Sequence, residues 1–158
     1  MEALAAELAA RGESPAPGAP EIFVFIRGVQ KFKKLRQEED FSFSFDDDAS
    51  SGGANAGKIF NDLISEGPAA GIHIIAAADS YNNVNRWINR KALSEFEMRV
   101  LFQMSANDSS SLIDSPAAAN LGLHRAVYHN EHEGYQETFR PYALPGAAWV
   151  EEIKAKLA

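Results

Sequence analysis

The 158-residue chain has no cysteine, which excludes disulfides, thiolate zinc sites, iron–sulfur clusters and a cysteine nucleophile, and leaves the redox compartment open. It has no apolar run near the ~18 residues that span a bilayer. It also has no basic, then apolar, leader after Met1, so the expectation is a cytoplasmic chain without direct membrane contact. Positive charge is in short supply: 15 Lys+Arg face 22 Asp+Glu, for a net charge of -7. The surface as a whole therefore repels nucleic acid and anionic lipid, and any such contact has to be local. What is present, 46% hydrophobic and 23% charged residues, is the composition of one soluble globular domain.

Residues 2–11, EALAAELAAR, set Leu4 and Leu8 four apart in an alanine-rich, helix-forming background. Residues 12–20 hold three prolines and two glycines and read as a linker. Ile22-Phe23-Val24-Phe25-Ile26 is continuously apolar and β-prone, the pattern of a parallel strand covered on both faces. Beyond Gly28, Val29, Phe32 and Leu35 recur among Lys31, Lys33, Lys34 and Arg36, which predicts a basic amphipathic helix. Residues 38–57 carry six carboxylates and a Ser/Gly/Ala tract, and 39–57 is expected to be a mobile loop.

Ile59, Phe60, Leu63 and Ile64 mark one helical face that Gly67-Pro68 should end. Gly71 opens a second buried strand, Ile72-His73-Ile74-Ile75-Ala76-Ala77-Ala78, followed by a polar loop over 79–85. A helical stretch over 87–95 precedes a third strand over 98–104. Ser115-Pro116 with Gly122 predicts a short capped helix. Residues 125–129 and 136–142 form a hairpin around Asn130-Glu131-His132-Glu133-Gly134, and 147–157 form a last helix with Trp149, Val150, Ile153 and Leu157 on one face. Strands alternating with helices predict an α/β layered domain.

Three tracts in this order, EIFVFIRG, EGPAAGIHIIAAAD and EFEMRVLFQMSANDSSSLIDSPAAANLG, resemble the second half of an FtsK/SpoIIIE-type ATPase domain over residues 2–142. The resemblance implies a RecA-like P-loop NTPase sheet, with mostly parallel strands flanked by helices and a C-terminal hairpin. In that family the first strand is Walker B and the second ends in the γ-phosphate sensor. The third tract is an Asp-Ser…Leu-Asp…Gly signature near the subunit edge, matched here by Arg99, Asp108, Ser109 and Asp114.

The departures are chemical. Walker B needs an aspartate for Mg²⁺ and a glutamate to polarise water, yet Arg27 and Gly28 stand there, and Asp79-Ser80 replaces the sensor glutamine. No Walker A motif precedes them. The implied role is a degenerate module serving assembly or partner docking in a DNA- or protein-translocating machine. Its partners would be other domains or subunits of that machine, with DNA a candidate. The alternative is an ATPase fragment whose Walker A lies upstream or on a partner subunit. No cofactor is expected on this chain alone; ATP and Mg²⁺ would belong to a full-length protein.

Gly52-Gly53-Ala54-Asn55-Ala56-Gly57-Lys58 fits G-x-x-x-x-G-K, but Ile59 replaces the Mg²⁺-binding Ser/Thr and three aspartates lie just upstream, so a loop is the preferred reading. His124, His129 and His132 read as turn residues rather than zinc ligands, and His73 as a core histidine. Asp108 is expected to cap a helix. Arg27 must meet an anion, and an ion pair with Asp79 that plugs the ancestral nucleotide site is the expectation.

Overall fold

The computed structural model describes residues 1–13, 18–37 and 55–157. They form an α/β chain with two compact units, Met1–Phe96 and Glu97–Ala158. The expected mobile loop lies outside the described residues up to position 54, as do linker residues 14–17. No helix among the described residues is long and apolar enough to cross a membrane.

In the first unit, α1 (Glu2–Glu13) half-buries Leu4 and Leu8. Arg11 fixes its end, donating to the Ala70 and Pro20 carbonyls at 3.1 and 3.0 Å while pairing with Glu7 at 2.8 Å. β1 (Ile22–Arg27) then runs parallel to β2 (Ile72–Ala77), in register from Ile22↔Ile72 to Arg27↔Ala77. One face of the pair, with Val24, Ile26 and Ile74, packs on Phe60, Ile64 and Trp87. The other face leaves Phe23, Phe25 and Ile75 exposed, so the cover expected on both faces exists on one among the described residues. An unbroken apolar run records that both faces favour burial; the helices of this unit reach only one.

The basic segment is not the expected amphipathic helix but two 3₁₀ turns, Val29–Lys31 and Lys33–Leu35. Its apolar residues recur every three positions, the 3₁₀ period, which buries Val29 and Leu35. The Phe32 carbonyl at the break accepts both the Leu35 amide at 2.9 Å, closing the second 3₁₀ turn, and Trp87 Nε1 at 3.0 Å.

α2 (Ala56–Glu66) buries Phe60, Leu63 and Ile64 as its spacing predicts. Gly67 does not end it in the left-handed form; its φ is -57°, a 3₁₀ turn Pro68–Ala70 follows, and the left-handed glycine is Gly71. Gly67 is required by space, because a Cβ there would meet the Leu63 and Ile72 carbonyl oxygens at 2.3 and 2.6 Å. The expected polar loop after β2 is largely a helix, α3 (Tyr81–Trp87), capped by Ser80, whose hydroxyl accepts from the Asn83 amide. α4 (Arg90–Ser94) follows, capped by Asn89. Asn61, buried on α2, joins these pieces by donating to the Gly57 and Trp87 carbonyls and accepting from the Asn89 amide.

In the second unit, β3 (Met98–Phe102) leads to α5 (Ala106–Ile113), and Ser115 caps a 3₁₀ turn Pro116–Asn120. β4 (Ala126–Asn130) and β5 (Tyr135–Phe139) form the expected hairpin, and α6 (Ala147–Leu157) ends the unit. β3 pairs with β4 antiparallel, so among the described residues three strands form an antiparallel sheet and two, β1 and β2, form a parallel pair. The expectation of a mostly parallel sheet is corrected here, because residue pattern fixes which segments extend but not their direction. Leu101, Ile113, Ala118, Leu121 and Val127 form this unit's core.

Candidate functional site

The carboxyl ends of parallel strands gather the loops of an α/β sheet, which makes the β1–β2 edge the place to look for chemistry. Register sets Arg27 beside Ala77, and the Gly28 amide donates to the Ala77 carbonyl at 2.9 Å. Gly28 then turns left-handed at φ 75° and starts the basic 3₁₀ segment. Arg27 is exposed and makes no ion pair among the described residues.

Asp79, two residues past β2, faces its own helix. Its Oδ1 accepts from Asn83 Nδ2 at 2.6 Å and from Ser80 Oγ at 3.0 Å. The Asn83 bond is the main reason its carboxyl is held below the ordinary value, with Ser80 and Gln30 adding in the same direction. The expected Arg27–Asp79 ion pair therefore does not form. Bonds to residues one and four positions on are made by the helix itself and need no long side chain to be ordered. The residues at this edge also make a poor Mg²⁺ shell: β1 ends in a guanidinium where a second oxygen ligand would be needed beside Asp79.

The basic segment adds a cationic rim. Lys31, Lys33 and Lys34 line an open groove of about 840 Å³ with Met1, Phe32 and Ile59. These lysines and Arg36 are exposed and make no ion pair among the described residues. The Arg86 carbonyl accepts from the Gln37 amide at 3.0 Å, which ties the end of the basic segment to α3.

The glycine–lysine motif ends inside α2. Asn55 Oδ1 accepts from the Gly57 and Lys58 amides at 3.0 and 3.1 Å, which satisfies the groups a phosphate would use. Lys58 Nζ pairs with Asp62 at 2.6 Å, which raises its pKa.

The signature residues of the third tract build local structure in the second unit. Asp108 is not the cap; Ser105 is, accepting from the Asp108 amide at 3.1 Å, while Asp108 lies in the first turn of α5. Ser109 is fully buried, donates to the Ser115 carbonyl at 2.5 Å and accepts from the Ala118 amide at 3.1 Å. Asp114 ends α5 in the left-handed conformation at φ 50°. Arg99 donates to the Leu112 carbonyl and pairs with Glu131 at 3.0 Å.

His73 is not a core residue. Its Nε2 lies 2.6 Å from Glu21 Oε2, its ring stacks on Phe23 at 5.0 Å, and its side chain is 36% exposed. His124 and His132 are exposed, whereas His129 is half-buried on β4 with an unpartnered Nδ1. No group of His, Asp and Glu with metal-ligand geometry occurs among the described residues.

Sequence reasoning missed Asn83 and Gln30 as the partners of Asp79. The signal was available for Asn83: a serine cap at Ser80 with an amide side chain three residues later is helix-opening spacing. Comparison of the chain with protein-family models, with curated proteins and with solved structures gives no match in any of the three.

Proposed function

We propose that the chain is a non-hydrolysing module of an FtsK/SpoIIIE-type, RecA-like assembly, working by docking to another domain or subunit of a DNA- or protein-moving machine. The carboxyl edge of the β1–β2 pair carries this reading. Arg27 stands where the motor would hold a metal-binding carboxylate, and Asp79 is committed to Asn83 and Ser80. A cation there repels Mg²⁺ and offers no base to water.

The outer face of the pair supports the docking role. Parallel strands are ordinarily covered on both faces, and Phe25 is 74% exposed beside Phe23 and Ile75. A helical layer supplied by a neighbouring domain would cover it. The lysine rim of the 3₁₀ segment makes DNA phosphate a candidate local contact. ATP and Mg²⁺, in this reading, are bound elsewhere in the machine.

Two measurements test it. The purified chain with ATP and Mg²⁺ should release no phosphate above background; turnover abolished by Lys58→Ala would instead identify an ATPase. The chain should also co-purify with an FtsK/SpoIIIE-type ATPase from its source cells, and Phe25→Glu should abolish this at unchanged thermal stability. Co-purification that survives Phe25→Glu removes the docking face.

A further inference from the structure

The antiparallel sheet and α6 carry matching apolar surfaces, and both are largely open to solvent. Cross-strand register sets Met98, Val100 and Phe102 on one face with Tyr128, Tyr135 and Phe139, and Asn130 and Glu137 share that face, with the Tyr135 hydroxyl donating to Glu137. Leu101 and Val127 occupy the opposite face and belong to the core. A half-buried antiparallel sheet is normally polar on its solvent side, yet Met98 is 67% and Phe102 58% exposed. α6 carries an apolar stripe of its own. Trp149, Val150, Ile153 and Leu157 form one stripe at helical spacing, no residue of the helix is buried, and Trp149 is 55% exposed. The Glu151–Lys154 and Glu152–Lys156 ion pairs occupy the flanks.

We propose that this sheet face receives α6 from a second copy of the chain, with the two helices exchanged reciprocally about a two-fold axis. The segment joining sheet and helix, residues 140–146, contains Pro141 and Pro145. Proline-rich connectors are stiff and extended, so this one holds the helix off its own sheet and favours exchange over folding back. Trp149, Phe102 and Tyr135 bring about 150–250 Å² each. Even with half of that already covered, two copies with their aliphatic neighbours reach the roughly 1,200 Å² of a stable interface. The proposal rests on the second unit alone and is independent of the reading of the β1–β2 edge.

Light scattering coupled to gel filtration on the full chain tests it. The wild type should be a dimer at tens of micromolar, and Trp149→Glu and Phe102→Glu should each weaken dimerisation roughly 30-fold or more, as loss of a central aromatic anchor does. Leu157→Glu is a second helix variant, at a position 82% exposed. Circular dichroism should show all three folded. Mixing Trp149→Glu with Phe102→Glu should give a heterodimer tighter than either variant's own dimer, because one contact pairs a sound helix with a sound sheet and both substitutions fall together on the other. A wild-type monomer overturns the proposal, whether Trp149 is shielded against its own sheet or left open for a different partner. So does a dimer that survives the helix and sheet variants, or a mixture that associates no more tightly than either variant alone.

Discussion

Asn83 donates its side-chain amide to the carboxylate of Asp79 at 2.6 Å, one helical turn back, and this bond directs the acid at the end of β2 into its own helix. Arg27, which ends β1, is left to solvent. The relationship turns a would-be nucleotide-site carboxylate into the opening of a short helix, and it can be read by titration.

The lowered pKa of Asp79 comes first from the Asn83 bond. A depressed carboxyl contributes stability that is fully present above its unfolded value, near pH 4, and is lost as pH falls through the folded value. Asn83→Ala should therefore move the Asp79 titration back up, followed by carboxyl-carbon NMR. An unmoved titration would assign the shift to another group.

Asn61 is 5% exposed and serves three backbone groups, at Gly57, Trp87 and Asn89. Asn61→Ala strands those partners and should cost about 1–3 kcal/mol. Urea unfolding followed by circular dichroism measures it, and a loss below about 0.5 kcal/mol would mean that water replaces the amide.

Ser109 and Asp108 separate structural from exposed roles within one tract. Ser109→Ala leaves the Ser115 carbonyl and the Ala118 amide without their partner and should cost about 1–3 kcal/mol. Asp108→Ala removes a first-turn acid and should cost only about 0.3–1 kcal/mol. Equal losses by calorimetry would contradict this assignment.

Gly57 and Lys58 distinguish packing from phosphate binding. A Cβ at Gly57 would sit 2.6 Å from the Arg36 carbonyl oxygen, so Gly57→Ala should destabilise by about 1–3 kcal/mol. Lys58→Ala loses an exposed pair with Asp62 and should change stability by less than about 1 kcal/mol. Neither variant should alter ATP affinity in a titration of the purified chain.

Elements whose signals are local were legible. The period of Phe60, Leu63 and Ile64 located α2, the turn residues around Asn130 located the hairpin, and Ser115-Pro116 located the 3₁₀ turn. The basic segment was misread because a three-residue spacing suits both a loose α-helix and a 3₁₀ turn. Trp87, 55 positions away, adds a bond to the Phe32 carbonyl that no local pattern announces. The candidate edge was half legible: Arg27 and Asp79 were found by their places at strand ends, but their separation was not.

Apart from the basic segment and α3, which were misread, residue pattern alone located the helices and strands and put Arg27 rather than a carboxylate at the end of the first strand. These features depend on residues within about four positions of one another, where periodicity, caps and turns act. Tertiary structure alone decided which apolar faces are covered, since Ile26 is buried and its neighbour Phe25 is not. It also decided that β3 meets β4 antiparallel, and that Asn61 rather than water satisfies the Trp87 carbonyl. An apolar side chain records a preference for burial, but what buries it depends on where distant parts of the chain can reach.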